Sequence, residues 1–403
     1  MFVLEKKNKD TTGALQAIAK ALRLKKLKVF GMSGTKDKKA ITTQRVTAYR
    51  IFPEGIKNNC SKLPNIRVGN FRLTNEELRF GMLAGNKFSI VIRGVEGSEE
   101  QVELAMNELK EKGYINYFGL QRFGGSSVHT HQVGIDILKK NWEGAVHKLL
   151  DPREGESFES KEARVYWKET GDIEGTIQRM PKYLHLELKL LRSLIEYGEN
   201  DFLTALSSLP TFMKKMYVHS FQSYVWNFMT TARMELFGKE KPVAGDLIVE
   251  KEVKDDQDTD VYSAETKIKI LEESDLSSYT IYDIVLPLPG MDSVYPKNRI
   301  GEMYQEMLDR EGITKEMFVN NSHKDFQVRG GYRKLVGKPK HLTWKFFKYN
   351  DSSIPLIVSP IDLKNGAKEP SSVETGKFSA LKVEFILTTA SYATICLREI
   401  IKL

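Results

Sequence analysis

The first apolar run, Phe2-Val3-Leu4, predicts a strand. Asp10-Thr11-Thr12 then offers an N-cap, and Leu15, Ile18, Ala19 and Leu22 recur at helical spacing to make one apolar face. Val29-Phe30 ends a second short apolar run. After a polar stretch, the β-branched residues Ile41, Thr42 and Thr43 lead a strand through Val46, Ala48 and Arg50. Further on, Phe88, Ile90 and Ile92 alternate with Ser89, Val91 and Arg93, the pattern of a half-buried strand. Ser98 with Gln101 forms a capping-box signature, opening a helix that ends at Gly113. This rhythm of strand, helix and strand predicts an α+β fold with a mixed sheet flanked by helices.

The second half is more helical. The pattern runs from Gly134 through Leu150, then breaks into a polar linker from Asp151 to Ser160. Leu184 to Tyr197 predicts a core helix with Leu184, Leu188, Leu191 and Ile195 inward. A long aromatic-rich helix is expected from Thr211 to Phe237, and Ala244 to Ile248 begins a strand. Tyr282 to Pro296 reads as a buried strand broken by Pro287 and Pro289. Trp344, Phe346 and Leu356 to Val358 read as strand material, and Asp362 to Lys377 as a mobile polar loop. Leu381, Val383, Phe385 and Leu387 mark a last strand. A turn then leads into a closing helix, with Ser391 as candidate cap.

Composition narrows the class. At 403 residues the chain suits two or three domains, or one carrying a large insertion. Its 41% hydrophobic content supports real cores, and a net charge of +8 fits a polyanionic partner. Cys60 and Cys396 alone build neither a disulfide framework nor a zinc site, so a reducing compartment is expected. No apolar run reaches the roughly 18 residues that a membrane span needs, and no signal-peptide pattern opens the chain. The expectation is an intracellular protein, with nucleus, cytoplasm and mitochondrion not separated. His129 and His131 lack a ligand partner at useful spacing and read as surface or capping residues. Asp256, Asp258 and Asp260 imitate the start of a calcium loop. Lys267 stands where the bidentate Glu belongs, so no metal is expected.

Candidate chemistry concentrates in two stretches. The first is Gly31 to Gln44, GMSGTKDKKAITTQ. Gly31 and Gly34 free the backbone to turn and let another chain approach. Asp37 stands between Lys36 and the pair Lys38-Lys39, a field that favours the ionised acid and attracts phosphate. On local chemistry alone, a solvated Asx-turn is the commoner meaning of such a sequence. The second is Tyr114 to Gly125, YINYFGLQRFGG, where aromatics interleave with Asn116, Gln121 and Arg122. An aromatic face can stack a base, and an amide can bond its edge or the backbone near the acid. For Phe123 the core reading is preferred. Arg329 and Arg333 suit a phosphate grip or a solubilising rim equally well.

GTKDKKAITTQ resembles the catalytic motif of the TruD family of pseudouridine synthases, Gly-x-Lys-Asp-x-x-Ala-x-Thr-x-Gln, at every fixed position. The Tyr114 stretch is similar to the family's Asn-Tyr-Phe-Gly-x-Gln-Arg-Phe-Gly motif. Ser391-Tyr392-Ala393-Thr394 with Arg398-Glu399 resembles its closing motif. The likeness is strongest to the family's eukaryotic branch. It implies a pseudouridine synthase catalytic domain with a largely antiparallel sheet. Residues 1–205 and 336–403 would form that domain, and an inserted TruD-specific α/β domain would span 206–335. It implies Asp37 as catalyst, with Asn116, Phe118, Tyr392, Lys36 and Arg398 binding substrate. Arg398 either pairs with a site carboxylate or structures its helix.

The implied reaction breaks the glycosidic bond of a flipped uridine, turns the base and rejoins it through C5. It conserves atoms and charge and calls for no cofactor. The implied partner is RNA, with tRNA foremost and mRNA also in scope, bound by a monomer that makes no membrane contact. Family members carry an earlier segment, with a Lys and a Phe-x-x-x-Glu element, so the chain is expected to be N-terminally trimmed. A catalytically inactive RNA-binding protein on the same scaffold is the alternative. A glycosidase releasing free uracil is a third, weaker reading.

Overall fold

Strand β1 (Phe2–Lys7) is the hub of the first sheet. It lies antiparallel to β3 (Ile41–Ala48), with Phe2 opposite Val46 and Lys7 opposite Ile41. β2 (Phe30–Met32) flanks β3 and β4 (Ile66–Gly69) flanks β1, giving the order β2-β3-β1-β4. The helix Thr11–Ala21 covers one face. Ala14, Leu15, Ile18 and Ala19 pack with Phe2, Leu4, Phe30 and Val46 into a dry cluster. Asp10 caps this helix as expected, its carboxylate accepting from the Gly13 N–H at 2.7 Å. β3 stops at Ala48, short of the expected Arg50. Arg50 takes a left-handed conformation (φ 55°) and turns the chain away.

The computed structural model describes residues 1–124, 129–250, 259–319 and 323–401. Gly125, Asp256 and Asp258 lie outside these. The chain forms two compact units. One comprises residues 1–95 and 345–383, the other residues 96–344 and 384–403. The first unit also holds the half-buried strand Gly85–Arg93 and residues 345–349 and 378–383 of two longer strands. In this unit 356–358 is not strand, and the expected loop opens instead with a helical turn, Pro360–Lys364.

The second unit is built around the helix Thr211–Phe237, whose bounds match the sequence reading. Its buried face carries Tyr217, Val218, Phe221, Val225, Trp226 and Met229. A five-stranded sheet, ordered Val261–Ser263, Gly331–Lys334, Ile284–Leu288, Leu247–Val249 and Ile268–Ile270, packs near it. Its registered pairs are antiparallel. Pro287 does not break its strand, which runs on to Leu288. On one side the neighbouring strand pairs only with Ile284 and Val285. Pro287 therefore sits where no N–H is demanded.

Other expectations shift in detail. The run from Gly134 to Leu150 is two helices, Thr130–Leu138 and Trp142–Leu150, broken where Lys140 turns left-handed (φ 58°). Gly134 lets the first of these press onto the Tyr217 carbonyl of the long helix. The linker ends early, because Ser157 caps a helix at Phe158–Thr170. On the helix His185–Tyr197, Ile195 faces solvent, while Leu188, Leu190, Leu191 and Leu194 are buried. The capping box at Ser98 and the stop at Gly113 (φ 70°) are as expected. Among the described residues no helix is long and apolar enough to cross a membrane.

Candidate active site

The Asp37 loop leaves β2 and enters β3, so sheet geometry fixes both of its ends. Its backbone is then held from beneath. Lys6, 1% exposed, donates from Nζ to the carbonyls of Lys9 (2.6 Å), Lys36 (3.2 Å) and Asp37 (2.7 Å). Thr11 Oγ1 accepts from the Lys36 N–H at 2.9 Å and donates to Gln44 Oε1 at 2.9 Å. Gln44 Nε2 donates in turn to the Gly34 carbonyl at 3.2 Å. The motif's terminal Gln is thus a strut for the loop.

The Asp37 side chain is exposed, and among the described residues none hydrogen-bonds or ion-pairs with its carboxylate. Lys36 is half-buried and donates to Asn86 Oδ1. Burial pulls its ammonium below the ordinary value, while the charge of Asp37 acts the other way. Lys6 is shifted in the same direction by burial, against the opposing fields of Asp10 and Asp37. The two glycines differ from expectation. A Cβ on Gly31 would meet the Leu78 carbonyl and Thr47 Oγ1, each at 2.5 Å, whereas Gly34 has open space around it. Only Gly31 is needed for close approach.

Lys6 was legible only as a cation at a core-facing position, in register with Phe2 and Leu4 on β1. Lys6→Met should leave the sheet intact and free the loop. Losing a charged hydrogen-bond set of about 1.5–3 kcal/mol predicts about ten- to hundredfold faster hydrogen exchange at the Lys36 and Ala40 amides. Unchanged exchange there would show that the loop is held by other means.

The second unit carries the other candidates. Asn116 is fully buried. Its backbone N–H donates to Leu335 O at 3.0 Å and its Nδ2 to Lys334 O at 3.2 Å. Phe118 is 5% exposed, and Asn227 on the long helix grips its backbone from both sides. Oδ1 accepts from the Phe118 N–H at 2.8 Å and Nδ2 donates to its carbonyl at 3.0 Å. The Phe118 ring meets Trp226 edge-on (centroids 5.6 Å apart, 88°) and Tyr392 at 6.3 Å. Tyr392 also presses on Gly119, where a Cβ would lie 2.8 Å from its ring.

Beside these rings opens a pocket of about 440 Å³, lined by Tyr117, Phe118, Leu120, Asn227, Phe228 and Arg398 among others. Its floor is apolar. Arg398 stands on the rim, in the last turn of the helix Ala393–Arg398, and is exposed. Such a surface can stack a planar base and offer a cation to its phosphate.

Three readings need correction. Arg333 is not at a rim; it is fully buried against Asn116 and Phe118, whereas Arg329 pairs with Glu265 at the surface. Ser391 does not cap the closing helix. Its hydroxyl donates to Asp260 at 2.9 Å, and Tyr392 takes the N-cap position. His131 is half-buried rather than free at the surface. It stacks on Tyr224 (4.2 Å, 5°), and burial, then the neighbouring His129, lowers its pKa to about 4. Asp260 is a buried acceptor for Thr388 and Ser391. Asn227 was missed, because an aromatic-rich helix face reads as core.

The family model described as "tRNA pseudouridine synthase D (TruD)" matches residues 1–400. The human "Pseudouridylate synthase 7 homolog" is 38% identical over 405 residues, covering 100% of this chain and 58% of that protein. The Schizosaccharomyces pombe "Multisubstrate pseudouridine synthase 7" is 35% identical over 423 residues, covering 100% of this chain and 62% of that protein. A crystal structure of the putative tRNA pseudouridine synthase D from Methanosarcina mazei superposes with a TM-score of 0.70. It is 26% identical, and the match covers 100% of this chain and 87% of that one. The chain spans less than two thirds of the length of these curated relatives. Matched along nearly its whole length, the chain belongs to the TruD family of pseudouridine synthases.

Proposed function

We propose that the chain isomerises a uridine to pseudouridine within RNA, tRNA first and mRNA as a further substrate. Asp37 acts as nucleophile or base at the ribose. The observation that carries this reading is a carboxylate with no hydrogen-bond or ion-pair partner among the described residues, on a loop whose backbone is clamped by Lys6, Thr11 and Gln44. A carboxylate held by its backbone and left open at its oxygens is free to act on a substrate. Lys36 supplies positive charge beside it. Phe118 and Tyr392 face the turned-out base, the buried Asn116 arranges the site behind them, and Arg398 meets the phosphate. Unpairing the nucleotide costs a few kcal/mol, offset by stacking and phosphate contacts. In this reading residues 206–335 are the family-specific insertion, whose surface selects the RNA.

The test is release of tritium from RNA carrying 5-tritiated uridine, because C5 loses its hydrogen when it joins the ribose. Asp37→Asn should lower release by about a thousandfold or more. Equal release from both proteins would end the catalytic assignment. RNA retention without release by the unmutated chain would make it a binding module, and free uracil among the products a glycosidase.

A further inference from the structure

Arg333 is the least expected charge in the second unit. It is 0% exposed, on the strand Gly331–Lys334. Its Nε donates to the Asn116 carbonyl at 2.8 Å, its Nη2 to Asn116 Oδ1 at 2.7 Å and its Nη1 to the Ala390 carbonyl at 2.9 Å. The guanidinium carbon lies 4.2 Å from the Phe118 ring centre and 5.4 Å from that of Trp226. Among the described residues every hydrogen bond it makes goes to an amide or a carbonyl, and none to a carboxylate. The acid whose field reaches it, Asp260, is engaged by Thr388 and Ser391. Burial pushes the guanidinium down to about 10, as a cation without an ion-pair partner would be.

Burying a charge this way is costly, and a hydrophobic residue of similar volume is often as stable or more so. The geometry points to what the charge accomplishes. Arg333 only donates, so the Asn116 oxygen must face it and the amide NH₂ must face Lys334. The planar fork fixes backbone and side chain of Asn116 together, which a lysine cannot do. The third donor holds Ala390, a non-glycine residue in the left-handed region (φ 63°) and two positions before Tyr392. Asp260 anchors the same turn through Thr388 and Ser391.

We propose that Arg333 is a positioning residue for the base pocket, one buried fork that fixes the Asn116 amide, the Phe118 ring and the turn presenting Tyr392. The role rests on the function proposed above. It predicts an effect on turnover rather than on RNA affinity, because the rings of Phe118 and Tyr392 that it orders, the former through Asn116, face the base, and Arg333 is sealed from the RNA backbone.

The experiment compares Arg333→Lys and Arg333→Met with the unmutated chain. Tritium release from 5-tritiated RNA gives kcat and KM, and circular dichroism gives the folded fraction. Folded Arg333→Lys keeps the charge and loses the fork. Its kcat should fall about a hundredfold, the scale of an ångström-sized misplacement, with KM within about twofold. Arg333→Met should fall at least as far. Unchanged kcat in folded Arg333→Lys would overturn the role. So would a rise in KM at constant kcat, which marks a binding cation. Unfolding of both variants would assign Arg333 to fold stability and overturn it too. The unmutated chain is the control that separates the two readings. No release there removes the proposed function and this role together, and normal release there with an active Arg333→Lys removes only this role.

Discussion

Asp246→Ala is expected to destabilise the larger unit by about 3–5 kcal/mol, read as a shift of its urea midpoint at constant slope. Arg233 and Asp246 are both 0% exposed and meet as a two-pronged pair, Nε to Oδ1 at 3.0 Å and Nη2 to Oδ2 at 2.7 Å. The carboxylate also accepts from the Val243 N–H at 3.0 Å, and the guanidinium spends further donors on the carbonyls of Gly238 and Lys241. This network ties the end of the Thr211–Phe237 helix to the loop that leads into Leu247–Val249. Alanine would remove the acid and leave a buried cation with only carbonyl acceptors, a larger penalty than the pair's own net worth. Replacing both partners with apolar residues, Arg233→Met with Asp246→Leu, should recover much of the loss. A midpoint unchanged in Asp246→Ala would mean that water or other groups compensate the guanidinium.

Trp226→Ala should cost a similar amount, about 3–5 kcal/mol, because it empties a fully enclosed indole site. Its consequence reaches the pocket as well. The indole lies edge-on to Phe118 and donates from Nε1 to the Leu286 carbonyl at 3.2 Å, joining helix, sheet and ring. Trp226→Phe fills most of the volume and leaves the carbonyl unpaired, so it should lose only about 1–3 kcal/mol. Chemical denaturation measures both. If Trp226→Ala and Trp226→Phe fell together, the hydrogen bond and not the packed volume would dominate the site.

The sequence made much of this visible, for identifiable reasons. The capping box at Ser98, the N-cap at Asp10 and the long helix were readable because local chemistry and period agree there with the fold. The Asp37 loop was readable as a motif, and its backbone clamp was not. Lys6 is thirty residues away from Lys36, and only strand register brings them together. Arg333 and Asp260 were hidden in the same manner. A charged residue near Gly or in an acidic run looks solvated until tertiary packing closes over it. Pro287 misled because a proline's effect depends on which side of its strand is paired. Ile195 misled because helical spacing admits two neighbouring stripes, and the one with Leu190 and Leu194 is inside.

The larger unit takes its last piece from residues 384–403, after the chain has passed through residues 345–383 of the other unit. Thr388, Ser391 and Tyr392, which complete the surroundings of Asp260 and Phe118, therefore leave the ribosome after nearly everything they touch. During synthesis the helices and five-stranded sheet can assemble early, with the Phe118 ring and the Arg333 fork still lacking one wall. A nascent chain halted near residue 383 would hold a nearly finished body with an open seam. A protease or chaperone would meet its exposed apolar lining there first.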